Sequence, residues 1–285
     1  MSPLDHTKRA AARGSFAPPD FPCIAGYRFL HTIARSPRSE VHVAYSTELG
    51  HNVAVKVLRT NGASSAASGD EQRFEREREL LTKIRHPSIV DVYDWGRGED
   101  FRYIVTEYFP GGSLELRIRN LMTVRDSIDI FVQIAGALVS VHSAGLCHRD
   151  LKPANVMMRP DGRIVLIDFG LARLIESEGE LTEAGEVRGS PYYISPEQAE
   201  GAPVDQRADL YSLGVMFYEM LTGERPFRGA SIIAIIRAHR DDPIPRLAAP
   251  LARFQRLLDG LLAKDPADRY PSAAAALSEL ARMKV

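Results

Sequence analysis

The sequence predicts an α+β protein of two lobes, a small β-rich one followed by a larger, mainly α-helical one. Three observations carry that reading. Between Tyr27 and Tyr108 short runs alternate apolar and polar residues, with one helix-like segment among them. Beyond residue 110 the apolar residues recur at helical spacing instead. The change falls at Pro110-Gly111-Gly112, a turn-forming linker of the kind that separates structural units. With 285 residues, 45% of them apolar and 26% charged, each lobe has material for its own core. This divides the chain into a leader at 1–25, a first lobe at 26–109 and a second at 110–285.

The elements follow in order. The leader, with "HTKRAAARGSFAPPDF", has no apolar stretch and does not read as a secretory signal; a flexible extension is expected. In "NVAVKVL", Val53, Val55 and Val57 fall on one strand face, and Ala54, Lys56 and Leu58 on the other. The small-residue loop "TNGASSAASGD" leads into the helix "EQRFERERELLTKIR", which His86-Pro87 stops. "SIVDVYDWG" and "FRYIVTEYF" then read as strands joined by "RGED". Helical periodicity marks 126–144, 206–222, 230–240, 252–263 and 272–283. Within Ile128–Leu146, Asp129, Gln133 and His142 interrupt the apolar residues, which fits a buried amphipathic helix rather than a membrane span. A formal net charge of -1 gives no global field suited to nucleic acid or an anionic membrane. Cys23 and Cys147, without metal-like spacing, point to a reducing, cytoplasmic setting and no disulfide framework.

The segment "CHRDLKPANVMMRPDGRIVLIDFG", Cys147–Gly170, concentrates the chemistry. Two apolar runs flank Pro160-Asp161-Gly162, a strong turn sequence. A hairpin with its midpoint between Asp161 and Gly162 sets Asn155 opposite Asp168 at the open end. An amide and a carboxylate there supply the hard oxygen ligands that Mg²⁺ prefers. Asp150 and Lys152 sit just before the first strand, on the loop the hairpin holds. A plain surface turn with solvated acids accounts for "PDG", but not for the Asp, Lys and Asn gathered beside it.

"HRDLKPAN" followed by "DFG", with "VAVK" upstream, resembles the eukaryotic-type protein kinase family, from about Gly26 to the end of the chain. "GSPYYISPEQAEG" and "DLYSLGVMFYEMLTGERPF" are similar to bacterial members of its Ser/Thr branch. The resemblance implies the two-lobed kinase fold, ATP with Mg²⁺ (or Mn²⁺), and phosphoryl transfer to Ser/Thr hydroxyls of a protein substrate. Lys56 would then reach the α- and β-phosphates, paired with a glutamate of the following helix. Glu71, Glu75, Glu77 and Glu79 are available. Only Glu77 falls within the inward stripe of Phe74, Leu81 and Ile84, where a carboxylate needs a partner or a function. Asp150 would accept or orient the hydroxyl proton, Lys152 would neutralise the transferring group, and Asn155 and Asp168 would hold the metal. His148 and Phe169 read as packing residues.

For the base, the resemblance implies backbone groups of Glu107 and Phe109, with Val41, Ala54, Met157 and Ile167 around the ring. Plain core packing would also account for those four. Thr106 takes the gatekeeper position, and its small side chain predicts an accessible pocket behind it. The phosphate loop, "IARSPRSEVHVAY", has no glycine. Ile33, Ala34, Ser36 and Ser39 would border the nucleotide, with family glycines falling at Ala34, Ser36 and Ser39. Pro37 removes a backbone donor at the tip. Arg35 and Arg38 either offset that loss or point to water. A stiffer loop and weaker ATP affinity are expected.

The polar stretch between Gly170 and Glu197 corresponds to the activation segment, with "SPE" where "APE" is usual. Glu197 would pair with Arg269 and anchor its end. Arg149, directly before Asp150, implies an anionic partner. Thr182 is the phosphosite candidate, with Arg149 and Arg173 as receivers; an ordinary solvated threonine is the alternative. Asp209 would hold the catalytic loop's backbone, or act simply as a first-turn acid. Lys152, two residues after Asp150, and Ser190 in "GSPYY" favour Ser/Thr substrates. Two other readings compete: a pseudokinase scaffold with weak nucleotide binding, supported by the glycine-free loop, and a small-molecule kinase. Lys56, Glu77, Asp150, Lys152, Asn155 and Asp168 all being present argues against the first. The "SPE" anchor and Arg269 argue against the second.

Overall fold

A sheet of five antiparallel strands forms the first part of the molecule. In this computed structural model the described residues are 21–36, 39–59, 84–98, 101–120, 122–168 and 191–283. The strands are β1 (Tyr27–Arg35), β2 (Ser39–Ser46), β3 (Asn52–Arg59), β4 (Val92–Arg97) and β5 (Phe101–Glu107), in spatial order β1-β2-β3-β5-β4. The alternation in β3 decides its two faces. Val53, Val55 and Val57 are buried and pack with Val105, Ala44 and Ile24 in a small core. Ala54, Lys56 and Leu58 face the other way, into a cleft.

The apolar run from Ser88 was expected to be strand throughout, but β4 begins only at Val92. Ser88–Val90 pairs instead with a distant segment: Leu166 N–H donates to the Ser88 carbonyl at 2.9 Å, and Val90 N–H to the Leu166 carbonyl at 3.0 Å. Backbone groups of an apolar run need partners, and tertiary structure supplied different ones. The helix expected at 71–85 lies outside the described residues, apart from Ile84 and Arg85.

Helices build the rest: α1 (Leu114–Ile118), α2 (Val124–Ser143), α3 (Pro196–Ala199), α4 (Gln206–Thr222), α5 (Ile232–Asp241), α6 (Gln255–Leu261) and α7 (Ala273–Arg282). Thr123 caps α2 by accepting the Asp126 N–H, and Ile130, Ile134, Leu138 and Val141 form its inward stripe. Asp205 caps α4, and Gly223, at φ 73°, ends it in the left-handed conformation that glycine adopts freely. α4 is buried nearly all round and forms the axis of the larger core, with Phe131 and Phe217 rings 4.7 Å apart. The helix expected at 252–263 is shorter than its periodicity suggests. Residues Ala249–Phe254 wind as a 3₁₀ helix and only Gln255–Leu261 is α; tighter 3₁₀ turns are common where an α-helix begins. No described helix is long and apolar enough to cross a membrane.

Between the two parts lies a short hairpin, β6 (Val156–Met158) paired with β7 (Ile164–Leu166). Val156 pairs with Leu166 and Met158 with Ile164, so the midpoint is Asp161 itself. That shifts the expected register by one residue. Asn155 stands opposite Ile167, whose N–H donates to the Asn155 carbonyl at 3.0 Å, and Asp168 lies one step beyond. The turn is closed by Gly162 N–H to the Arg159 carbonyl, with Gly162 at φ 83°.

Candidate active site

The loop before β6 is held from beneath by one buried carboxylate. Asp209, in the first turn of α4, accepts the backbone N–H of His148 and of Arg149, each at 2.8 Å. His142, on α2, adds its Nε2 at 2.8 Å. These bonds hold Arg149 at φ 64°, a left-handed conformation that costs a non-glycine residue about 1–2 kcal/mol. His148 is fully buried: its Nδ1 accepts the Asp150 N–H and its Nε2 donates to the Ile167 carbonyl. Burial lowers its pKa, so it stays a neutral positioning group between the loop and the end of the hairpin.

Above that floor, polar side chains converge. Lys152 Nζ donates to Asp150 Oδ2 at 2.7 Å, and Asn155 Nδ2 donates to the same oxygen at 2.9 Å and to the Asp150 carbonyl at 2.8 Å. One carboxylate oxygen is thereby fixed by a cation and an amide. The Asn155 side-chain carbonyl takes no hydrogen bond from any described residue. Asp168, at φ 59°, is paired with Lys56 Nζ at 2.8 Å across the cleft. Two strained backbone positions thus flank the polar cluster, which is where functional sites store strain. Glu77, the expected partner of Lys56, lies outside the described residues, as do Thr182, Arg173, Pro37 and Arg38.

The cluster opens onto an apolar slot between the sheet and the hairpin. Ile33, Val41 and Ala54 line it from the sheet, Met157 and Ile167 from the hairpin. Thr106, Glu107 and Phe109 line it along the connection between the two parts, and Lys56 and Asp168 close its polar end. Ala34, Ser36 and Ser39 do not line it. Ser39 N–H donates to Ser36 Oγ at 3.0 Å, the two hydroxyls meet at 2.8 Å, and Ser36 N–H donates to the Ser39 carbonyl at 2.8 Å. The serines close the β1–β2 connection on themselves instead of facing the slot. Glu197 and Arg269 form a buried two-pronged ion pair, both bonds 2.7 Å, and Arg269 also donates to the carbonyls of Ala263, Lys264 and Arg207. Gln198, beside Glu197, donates to the Arg149 carbonyl at 2.8 Å, which links this anchor to the loop of Asp150.

The protein kinase domain family matches residues 27–280 of this sequence. The chain belongs to that family. The serine/threonine-protein kinase PknB of Mycobacterium tuberculosis is 41% identical over 260 residues, which cover 86% of this chain and 41% of that protein. A probable serine/threonine-protein kinase PknB of Bifidobacterium longum is 36% identical over 263 residues, 87% of this chain and 38% of that protein. This kinase domain therefore spans about two-fifths of the length of these relatives. The solved kinase domain of Mycobacterium tuberculosis PknI superposes with a TM-score of 0.70 at 29% identity, covering 92% of this chain and 97% of that one.

Several residues of this kinase domain's site escaped sequence reasoning. Leu58, Val90 and Ile104 also line the slot. Leu58 carried a signal, since it shares the strand face of Ala54 and Lys56. Val90 and Ile104 come from segments whose place only tertiary packing fixes. His142 read as an interruption in an apolar helix, yet it holds Asp209.

Proposed function

We propose that this kinase domain transfers the γ-phosphoryl group of ATP to Ser or Thr hydroxyls of a protein substrate, with Mg²⁺ or Mn²⁺. The observation that carries the reading is the polar cluster of Asp150, Lys152, Asn155, Asp168 and Lys56 at one end of an apolar slot. A hydroxyl donating to Asp150 is oriented for attack and gives up its proton there. As its oxygen bonds to the γ-phosphorus, the bond to the β,γ-bridging oxygen breaks and ADP leaves. Lys152, already beside Asp150, neutralises charge on the transferring group, and Lys56 can turn from Asp168 to the phosphates.

The side-chain carbonyl of Asn155 and the carboxylate of Asp168 suit a hard cation. Among the described residues no three His, Cys, Asp or Glu cluster as metal ligands. Two protein oxygens match Mg²⁺, which takes the rest of its shell from phosphate and water. A bound Mg²⁺ would supply charge compensation on the phosphates. In this reading Arg149 and Arg173 receive an activation-segment phosphate, with Thr182 the candidate acceptor.

Incubation with labelled ATP and Mg²⁺ or Mn²⁺ should label the protein itself and a generic basic protein, with Thr182 among the phosphopeptides. Lys56→Met and Asp150→Asn should each lower the rate about 10²-fold or more. No transfer by wild type with either metal would favour the nucleotide-poor scaffold, and the serine-closed loop would then be its structural basis.

A further inference from the structure

Two ion pairs between described residues cross from the sheet to the hairpin, at opposite ends of the slot. Lys56–Asp168 stands at the polar end, and nucleotide phosphates would draw Lys56 away from it. Glu107–Arg159 stands at the other end, with Nη2 and Oε2 2.5 Å apart. Glu107 is the last residue of β5, and Arg159 directly follows β6. The Arg159 backbone is fixed by the hairpin turn, donating to the Arg163 carbonyl and accepting from Gly162. Its guanidinium lies 5.8 Å from the Phe109 ring centroid, within reach of a cation–π contact.

The connection between the lobes is also tied at its far end. Met158 N–H donates to the Gly112 carbonyl at 3.0 Å. Gly111 passes so close that a Cβ there would lie 2.8 Å from the Met158 carbonyl. The stretch from Glu107 to Gly112 is thus fastened at both ends to the adjacent residues Met158 and Arg159. One fastening is backbone; the other is the Glu107–Arg159 pair.

We propose that Arg159 is a positioning residue for the nucleotide. By holding the Glu107 carboxylate, it fixes the backbone of Glu107 and Phe109 in the orientation that faces the base. This rests on the ATP reading above. Both side chains are about a quarter exposed (26% and 28%), so the pair adds little to global stability. Its effect is local order in a segment that would otherwise pivot.

Titration calorimetry with ADP and Mg²⁺ tests this without requiring turnover. Arg159→Ala and Glu107→Gln should each weaken ADP binding about fivefold, equivalent to about 1 kcal/mol. The double variant should be no weaker than either single one, and the exchange Glu107→Arg with Arg159→Glu should recover most of the loss. Melting temperatures close to wild type show that the loss is not unfolding. In turnover the KM for ATP should rise while kcat holds. Single variants that bind ADP like wild type, losses that multiply in the double variant, or an exchange that recovers nothing would overturn the proposal. Wild type that binds no ADP would overturn it together with the ATP reading. Wild type that binds ADP but transfers no phosphoryl group, while the variants still weaken ADP, would count against the kinase activity alone.

Discussion

Asp209 and Thr106 show what single side chains contribute to this site. Asp209 satisfies two backbone donors and an imidazole with one buried carboxylate, and so holds Arg149 in a conformation that the isolated chain would avoid. Thr106 acts through what it lacks. Its side chain is short, and Leu58, Val90 and Ile104 line space continuous with the slot around it. Thr106→Met should fill that space. ATP-site inhibitors carrying a bulky group there should lose about tenfold or more in affinity, since overpacking costs about 1–3 kcal/mol. Equal inhibition of wild type and variant would show that the space is not reached. Thr106 was marked as a slot residue by its place in "YIVTEYF" and Leu58 by its strand face, whereas Val90 and Ile104 were not legible, because only tertiary packing brings their segments to the slot.

Among the elements, the hairpin and the β1–β2 connection differ in how much the sequence disclosed. The turn at Pro160-Asp161-Gly162 and its two apolar arms were plain, and the error was one residue of register. That residue matters, since it leaves Asn155 facing Ile167 and sends Asp168 onward to Lys56. Turn residues give the location of a hairpin, while the turn type and loop length that the folded chain adopts set the register. In the β1–β2 connection Ser36 and Ser39 spend their hydroxyls on each other rather than offering them to a phosphate. Pro37, between them in sequence, removes a backbone donor. Pro37→Gly should lower the KM for ATP about threefold, by restoring a donor of typical worth below about 1 kcal/mol. An unchanged KM would mean that the missing donor is unimportant.

At the scale of the whole molecule, stability rests on a helical core that encloses polar groups. His239 on α5 is fully buried, its Nδ1 3.0 Å from the Tyr211 hydroxyl, and Lys264 Nζ donates to its carbonyl at 2.6 Å. Burial first, and then the Lys264 charge, push its pKa down from 6.5 to about 4. The unfolded chain therefore takes up this proton before the folded one. Stability should fall as pH drops from about 6.5, with the loss complete below about 4 and amounting to about 3 kcal/mol at most. Urea unfolding of wild type and His239→Gln across that range measures the difference. Parallel pH slopes would sink the assignment.

The sequence by itself determined the two-lobed α+β architecture, the faces of β3, and the cluster of Asp150, Lys152 and Asn155. Those features depend on local periodicity, or on residues a few positions apart on one loop and hairpin. Tertiary structure alone decided the Lys56–Asp168 pair, the pairing of Ser88–Val90 with Leu166, the His142–Asp209 contact and the Glu107–Arg159 tie. Each joins groups dozens of residues apart. No pattern along the chain records such contacts, because they exist only once the sheet and the helices have packed around the hairpin.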